Sequence, residues 1–460
     1  LRNNLVLSGA GVGGGSLGYC AVLLEPPAPF FQDPQWCELA PNWQHTLQPF
    51  YQIAQKMLGV TENPNLWKSD ELLLEYARDI GREHFFKPTQ VGIYFGEEDR
   101  EGPDPFFDGE GPPRKGCNQH GACMVGCRHG GKNSLDKNYL YLAERKGVTI
   151  FAQWEAIAIE PLPEGGYVVV TQSSTNPCKK NRRETTTTGL VVSAGTLGTN
   201  KLLMKCKSTQ KLAHLSDCVG KKVRTNSEVL LGITSKDRRA NFSTGISITS
   251  SLFIDDQTHI EPVRYPAGSD AMFWLSVLLT DGGSQLRRPL KFLWNCLRHP
   301  FQALRNIIPF GWAKRSIIFL VMQTLDNQME LFLKRKWYWP FQKTIASRRP
   351  TSTVPTFIPQ ANEAAKAMAK KIDGIPQSAL TEVLFNAPIT AHIIGGCVIG
   401  KDQTSGVVDK ELKAFGYENF YIIDGSVIPA NLGVNPSLTI TALAEYAMSR
   451  IAPKERSSPC

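Results

Sequence analysis

The sequence predicts an α/β protein in which a doubly wound domain is interleaved with a second domain built on an antiparallel sheet. A buried run at 189–193 leads through a glycine-containing turn into a helical stretch at 199–205, an order typical of doubly wound sheets. Between residues 229 and 333 the chain carries repeated β-rich runs, at 245–254, 260–264 and 317–323. The 460 residues are 42% hydrophobic, which is enough for a sizeable core.

Composition excludes several classes of protein. Charged residues make up 20% of the chain, and no stretch has the composition of a disordered, repetitive or collagen-like protein. The longest apolar runs, such as 317–322, are far shorter than the roughly 20 residues of a membrane-spanning helix. The eleven cysteines leave at least one unpaired, which favours a reducing compartment. The sequence favours a cytoplasmic or membrane-peripheral location, but decides neither that location nor the oligomeric state.

The net charge of +9 is concentrated in one stretch. Residues 282–325 contain no acidic side chain, and their positive charges come from Arg287, Arg288, Lys291, Arg298, Arg305, Lys314 and Arg315. Apolar residues follow the steps of an amphipathic helix that Pro300 and Pro309 interrupt, at 290, 293, 294, 297, 301, 304 and 308. We expect peripheral membrane contact through 285–315, and the alternative is a solvated face over an ordinary core helix. No nucleic-acid module is recognisable, so no nucleic-acid partner is expected.

A glycine-rich segment follows the first apolar run. Gly9, Gly11 and Gly14 satisfy the G-x-G-x-x-G pattern of a dinucleotide-binding turn. Prolines within 26–29 interrupt the chain before a full crossover helix can form. A nicotinamide-type fingerprint is therefore disfavoured, and we expect a different glycine-rich cofactor loop.

Four motifs near the C-terminus carry a resemblance to a known family. They are TAHIIGGC at 390–397, GVVD at 406–409, YIIDGSVIP at 421–429 and GVNPSLT at 433–439. In order and spacing they resemble the glucose–methanol–choline (GMC) flavin oxidoreductases, and among these the cholesterol oxidase-like branch. Residues 11–17 look like the internal flavin loop of that branch, although Ala21 stands where the branch often has Asn. The resemblance covers nearly the whole chain.

The resemblance implies that FAD is the cofactor, held by a discontinuous domain of Rossmann-like type. It assigns 1–30, 141–232 and 400–455 to this FAD-binding domain, and 31–140 and 233–399 to the substrate-binding domain. It also implies that the first βαβ unit, with the diphosphate fingerprint, lies upstream and is absent from this chain. The residues expected to contact the cofactor are Gly11, Gly13, Gly14, Gly15, Ser16, Ala156, Ala194, Gly195, Asp424, Gly425, Asn435 and Pro436.

The residues around the last two motifs suit a flavin independently of the family resemblance. A strand at 420–423 ends at Asp424, and Asn435 and Pro436 suit the N-cap and first position of a helix at 438–451. The positive end of that helix would stabilise the negative charge that a flavin ring gains on reduction. The alternative is that Asn435 only caps the helix.

Three residues are expected to be catalytic. Oxidation of an alcohol by hydride transfer requires removal of the hydroxyl proton, which an imidazole can accept. His392 and Asn435 match the His–Asn pair of the GMC pattern position by position. Glu261 lies where a sterol oxidase carries its active-site carboxylate, and an apolar sheet face would raise its pKa. The alternatives are a satisfied core histidine at His392 and a surface Glu261 paired with Arg264.

A second cluster of reactive residues contains Cys117, His120, Cys123 and Cys127. Its spacing is similar to a ferredoxin run with His in place of one Cys, and it also permits a zinc site. In the branch that this chain resembles, a Cys-rich segment leading into Lys132 and Asn133 holds no cluster. We therefore expect an ordinary loop and no metal.

The predicted function is FAD-dependent oxidation of the hydroxyl of a bulky apolar alcohol, a sterol or a long-chain alcohol, with the sterol favoured. The sequence does not decide which acceptor reoxidises the flavin. Two alternatives stay open: an iron–sulfur or metal-binding electron-transfer protein built on the cysteine cluster, and a catalytically inactive lipid-binding relative.

Overall fold

A computed structural model describes residues 4–39, 42–176, 180–306, 308–336, 339–348 and 354–453. Its helices are α1 (Ala28–Phe31), α2 (Pro34–Cys37), α3 (Trp43–Leu58), α4 (Lys68–Asp79), α5 (Tyr139–Arg145), α6 (Gly195–Ser208), α7 (Arg287–Arg298), α8 (Pro300–Arg305), α9 (Trp312–Arg315), α10 (Pro359–Lys371), α11 (Leu380–Phe385) and α12 (Ser437–Met448). Within these ranges, no helix has both the length and the apolar character needed to cross a membrane.

The strands are β1 (Leu5–Val6), β2 (Thr61–Glu62), β3 (Phe86–Pro88), β4 (Gln90–Val91), β5 (Glu101–Gly102), β6 (Arg114–Lys115), β7 (Trp154–Pro161), β8 (Tyr167–Ser173), β9 (Arg182–Thr187), β10 (Leu190–Val192), β11 (Lys221–Arg224), β12 (Val229–Ser235), β13 (Ser250–Phe253), β14 (Thr258–Val263), β15 (Ser276–Leu278), β16 (Ser316–Gln323), β17 (Gln328–Lys336), β18 (Trp339–Arg348), β19 (Gly374–Ala379), β20 (Ile389–Thr390), β21 (Ile394–Gly396) and β22 (Phe420–Ile422).

The predicted antiparallel sheet is present and has seven strands in the order β15-β19-β12-β16-β14-β13-β3. β16 is central because its side chains are buried on both faces, as its continuous apolar sequence predicts. Helices α4 and α10 cover one face, where Leu231, Phe319 and Ile260 join the core. The predicted run at 245–254 is strand only over β13, and before it Gly245 and Ile248 form isolated bridges with His120 and Val263.

The predicted doubly wound unit is present around two parallel strand pairs. β10 pairs in parallel with β22 and leads into α6, which begins at Gly195, four residues before the predicted start. β1 pairs in parallel with β20. A core shared by α3, α6 and α12 supports this unit, and Tyr51 reaches Thr439 across it at 2.9 Å. The α/β class and its antiparallel companion sheet are both confirmed.

The segment at 285–315 is divided into α7, α8 and α9, with Ile307 outside the described residues. α7 has one buried residue, Arg288, which is 1% exposed. The guanidinium of Arg288 donates to the backbone carbonyls of Thr356 (2.7 Å) and Glu382 (2.9 Å). Arg288 is therefore an internal anchor, and the expectation that it adds a surface charge is wrong.

Candidate active site

The site forms where the seven-stranded sheet meets the ends of β1 and β20. Glu261 on β14 is in register with Leu320 on β16, which is in register with Leu230 on β12. These three side chains form a row on the face away from α4 and α10, because side chains alternate along each strand. Glu228 directly precedes β12 and meets His392, two residues beyond β20.

Glu228 holds His392 by a network of hydrogen bonds. Its Oε1 lies 2.7 Å from Nδ1 of His392 and accepts the hydroxyl of Thr390 at 3.1 Å. Its Oε2 accepts the amide of Ala391 at 3.2 Å. Glu228 is 2% exposed, whereas the His392 side chain is 12% exposed. A carboxylate at Nδ1 favours the proton on that nitrogen and leaves the Nε2 lone pair free to accept another proton.

Asn435 and Glu261 form a second pair in the same site. The amide Nδ2 of Asn435 donates to Glu261 Oε2 at 3.3 Å. Asn435 is therefore not the helix N-cap that the sequence suggested: the N-cap of α12 is Pro436, and no side chain caps that helix. Glu261 is fully buried, and Arg264 contacts Asp70 at 3.5 Å instead, so the surface ion pair considered above is absent.

Burial and charge shift both titratable groups toward the physiological range. Burial raises the pKa of Glu261 to about 7, although Asn435 and His392 partly offset this effect. Burial disfavours the charged form of His392, but the carboxylates of Glu228 and Glu261 outweigh burial and raise the pKa of that imidazole. One site thus holds a carboxyl with a pKa near 7 and an imidazole whose pKa is raised by carboxylates, an arrangement typical of acid–base catalysis.

Buried polar atoms without partners indicate that the site fits a flavin. Among the described residues, Ser426 Oγ, Asn435 Oδ1 and Glu261 Oε1 are buried and have no hydrogen-bond partner. Such atoms are costly unless a bound group satisfies them. They lie beside the uncapped N-terminus of α12, whose first amides have no partner within the helix. A planar ring with hydrogen-bonding edges and a developing negative charge suits this donor and acceptor set.

The predicted cofactor residues after β10 and β22 meet at one point. Asp424 accepts the hydroxyl of Thr199 at 2.5 Å and the amide of Ser426 at 2.8 Å. Ala194 and Gly195 begin α6 directly after β10, and a Cβ on Gly425 would lie 3.2 Å from Thr196 Oγ1. Since the Asp424 carboxylate is occupied by these internal bonds, backbone groups are left to contact a cofactor here.

The glycine-rich loop leaves β1 beside the segment that contains His392. β1 and β20 are parallel, so the loop containing Gly11 and the segment containing His392 leave the pair at the same end. Gly13 and Gly14 have φ of +106° and +55°, which favour glycine. Gly15 is exposed, and the Ser16 hydroxyl donates to Gly13 O and accepts the amide of Leu135 at 2.9 Å.

Two residues expected near the cofactor have less support. Ala156 is exposed on β7, in a separate sheet whose order is β7-β8-β9, and its contact with a flavin stays a prediction. Ala21 is buried with a φ of +66°, a conformation that Asn tolerates better than Ala. The replacement of Asn by Ala at this position therefore leaves a conformational cost as well as a missing polar group.

The cysteine cluster supports the glycine-rich loop. The buried ammonium of Lys132 donates to the carbonyls of Leu17 and Cys123, both at 2.8 Å, and so joins the two segments. Burial raises the pKa of the Cys117 thiol to about 12, which disfavours the thiolate that metals bind. In the part of the chain that the structure describes, no three His, Cys, Asp or Glu side chains are arranged to hold a metal ion.

Three buried residues near this site were not predicted from the sequence. Glu228 follows the polar residues at 225–227 and precedes an apolar strand, a position that could have indicated an internal acid. His259 is two residues before Glu261 and thus on the same strand face, but it is buried and its two ring nitrogens have no partner among the described residues. Glu382, on α11, accepts the amide of Leu230 at 3.1 Å.

We expect Glu382→Gln to reduce the loss of stability that accompanies rising pH. Burial raises the pKa of Glu382 to about 8, against 4.5 for an ordinary Glu. Between these values the folded protein keeps a proton that the unfolded chain has released, so stability falls as pH rises through this window. The thermal midpoint of the variant minus that of wild type should increase by about 3 °C or more from about pH 5 to about pH 8. Glu363→Gln, at an exposed position of α10, is the control, and equal pH dependence in all three proteins would contradict the assignment.

Comparisons with known proteins identify the family of the chain. Models of the GMC oxidoreductase N- and C-terminal domains match residues 113–224 and 343–444. A cholesterol oxidase of Acinetobacter baumannii is 42% identical over 98% of this chain and 83% of that protein. A cholesterol oxidase of Mycobacterium tuberculosis is 42% identical over 98% of this chain and 79% of that protein.

Solved structures share the fold at low sequence identity. Pyridoxine 4-oxidase from Mesorbium loti matches with a TM-score of 0.60 at 12% identity, over 95% of this chain and 83% of that one. Formate oxidase from Aspergillus oryzae matches with a TM-score of 0.59 at 12% identity, over the same two shares. The chain therefore belongs to the GMC oxidoreductases and is an FAD-dependent alcohol oxidoreductase.

Proposed function

We propose that the protein oxidises the hydroxyl of a sterol, using His392 as the general base. The observation that carries this proposal is the pairing of Glu228 with His392 next to the buried Asn435–Glu261 pair. The sheet face around these groups is apolar and suits a bulky apolar alcohol. The two curated relatives described above are cholesterol oxidases and cover nearly the whole chain.

We assign FAD to the groove between the glycine-rich loop and α12. The loop at 11–16, the ends of β10 and β22, and Pro436 would hold it, which makes 1–30, 141–232 and 400–455 one discontinuous domain. The parallel pair β10–β22 supports this assignment because it joins 141–232 to 400–455. The pair β1–β20 instead joins the first segment to 233–399, at the boundary between the two domains. The segments 31–140 and 233–399, which contain the strands of the antiparallel sheet except part of β12, then form the substrate domain.

In this mechanism His392 removes the hydroxyl proton at Nε2. Glu228 keeps the other ring nitrogen protonated and stabilises the imidazolium that forms. As the proton leaves the oxygen, the carbon that carries the hydroxyl loses its hydrogen as hydride and becomes a ketone. FAD, when bound, supplies the acceptor for that hydride.

Asn435 and Glu261 complete the site from the opposite side. Asn435 keeps its Oδ1 unpaired and available to the substrate or cofactor, while its Nδ2 holds Glu261. With its pKa near 7, Glu261 can give or take a proton at neutral pH. We assign it help with the hydroxyl proton, or proton migration beside the product ketone.

We further propose that the protein takes its substrate from a lipid surface. We define the docking surface as the strongly exposed apolar side chains of α7, α8 and the loop that follows: Leu286, Leu290, Leu293, Trp294, Leu297, Phe301, Leu304 and Phe310. Phe301 and Phe310 are each 82% exposed. An apolar surface of this kind with neighbouring basic residues suits an interfacial helix that enters the acyl region while cations meet anionic headgroups.

One experiment tests substrate and docking together. Wild-type holoenzyme should convert a 3β-hydroxysterol to ketone both in detergent and in vesicles. Leu297→Ser with Phe301→Ser should turn over detergent-dissolved sterol normally but vesicle-held sterol at least about ten-fold more slowly, because two apolar side chains that enter the membrane are lost. Val148→Ser with Phe151→Ser, also at exposed positions, is the control and should behave as wild type. Tight sterol binding without ketone formation would instead identify an inactive lipid-binding relative.

A further inference from the structure

A basic cavity of about 530 Å³ opens at the far end of β12 from the active site. Its walls include Arg238, Arg305 and Arg315, with the aromatic rings of Phe310 and Trp312. Glu228 precedes β12, whereas Thr234 near its other end lines this cavity, so about 20 Å of strand separates the two sites. The cavity is therefore distinct from the catalytic pocket.

The three arginines of this cavity form no ion pair among the described residues. Within the described ranges, the side chains of Arg238 and Arg305 make no ion pair, and no acidic residue lines the cavity. Arg315 donates only to backbone carbonyls, of Ser235 (3.2 Å), Gly311 (3.3 Å) and Phe310 (3.4 Å). Partial burial and the nearby Arg238 both lower the pKa of Arg315.

The charged groups next to the three arginines do not cancel their positive charge. Lys236 also lines the cavity, but its charge is paired with Asp373. Asp270, the acid that acts on Arg315, accepts the amides of Gly311 and Ala313, both at 2.9 Å. An anion bound among the arginines would relieve their mutual repulsion.

An apolar cavity of about 340 Å³ adjoins the basic one. Val277, Leu278, Phe292 and Leu380 are among its walls. Phe273 and Asn306 line both cavities, so the two share a wall. A basic cavity beside an apolar cavity suits a ligand with an anionic head and an apolar chain.

The basic cavity also lies at the edge of the docking surface. Arg305 ends α8 and Phe310 belongs to the docking surface itself, and both line the cavity. A molecule from the outer layer of a membrane would therefore reach the cavity without leaving the lipid surface. This position distinguishes a membrane lipid from a soluble metabolite as the occupant.

We propose that the two cavities form one binding site for an anionic phospholipid. Its phosphate lies among Arg238, Arg305 and Arg315, and one acyl chain enters the apolar cavity. This inference deepens the proposed docking, on which it rests, and gives the protein a preference for anionic over zwitterionic membranes. It does not depend on which alcohol the active site oxidises.

Arg238→Gln tests the site, with Arg239→Gln as matched control. Both positions are exposed and adjacent, but Arg239 contacts Asp237 at 3.7 Å and is not part of the cavity lining. Binding of FAD-loaded protein is measured on vesicles of phosphatidylcholine with and without phosphatidylglycerol. Arg238→Gln should lower the preference for phosphatidylglycerol about five-fold and Arg239→Gln much less. Equal losses in both variants would overturn the site in favour of diffuse attraction.

A second measurement removes the membrane. Dihexanoylphosphatidylglycerol, below its micelle concentration, should bind wild type saturably with one molecule per protein. Ala303→Trp fills the apolar cavity and should weaken this binding at least about ten-fold, while inorganic phosphate should compete only weakly. If the soluble lipid does not bind, or if phosphate alone binds as tightly, the lipid site is wrong. The variant with Leu297→Ser and Phe301→Ser should lose binding to both kinds of vesicle but still bind the soluble lipid. This result would show that docking depends on the docking surface and that the lipid site is separate from it.

Discussion

Replacing His392 by Ala should lower the rate of anaerobic flavin reduction by sterol about a hundredfold or more. The imidazole is held at Nδ1 by Glu228, which leaves Nε2 as the atom that accepts the proton. Asn435 cannot accept the proton as a base, and Glu261, whose pKa is about 7, is only partly ionised at neutral pH and becomes protonated below it. Stopped-flow absorbance in the flavin band, with enzyme mixed against sterol, measures this step directly.

His84→Ala provides the control because His84 is exposed and lies outside the site. The flavin content of each protein must be equal before rates are compared, since a variant that loses FAD would appear slow for another reason. A His392→Ala enzyme that reduces flavin at the wild-type rate would exclude the proposed base.

Glu228→Gln should lower flavin reduction about a hundredfold and move the acidic limb of the pH profile to lower pH. The carboxylate stabilises the imidazolium of His392 and raises its pKa, so its loss lowers that pKa. Only neutral imidazole accepts the proton. The variant therefore reaches its maximal rate, which is lower than that of wild type, at a lower pH than wild type does. The amide can also present its NH₂ group to Nδ1, which disfavours the required tautomer.

The pH profile separates positioning from simple destabilisation. Glu382→Gln makes the same change at another buried carboxyl, which does not contact His392, and should leave the acidic limb in place. If Glu228→Gln lowers the rate at every pH without moving that limb, the carboxylate does not tune the histidine and its assigned role is incorrect.

Local patterns predicted much of this fold because they reflect local physics. The apolar runs around 260–264 and 317–323 became β14 and β16, buried on both faces. The strand–turn–helix order at 189–205 became β10 and α6. His392, Asn435 and Glu261 were identified through motifs, and the structure brings all three into one site.

Long-range contacts could not be predicted in the same way. Glu228 is separated from His392 by 164 positions, and its neighbours resemble a polar turn. Asn435 fitted a capping rule, but tertiary packing instead directs its amide to Glu261. These interactions depend on which strand ends meet, and periodicity within one strand carries no information about that.

The basic segment shows the same limit for helix orientation. Its sequence predicted an amphipathic helix, but an amphipathic pattern does not say which face contacts the protein. The guanidinium of Arg288 is buried because it donates to the backbone carbonyls of Thr280 and Thr356, in irregular chain, and of Glu382, in α11. The apolar face of α7 is consequently directed outward, the reverse of an ordinary core helix.

The most direct test of the central claim is anaerobic reduction of the flavin by a sterol carrying deuterium on the hydroxyl-bearing carbon. The claim predicts that unlabelled sterol bleaches the flavin band with one ketone formed per flavin, and that deuterium slows this bleaching because that carbon–hydrogen bond breaks in the step. Bleaching at the same rate with both sterols, or no bleaching by a sterol that binds, would contradict the claim.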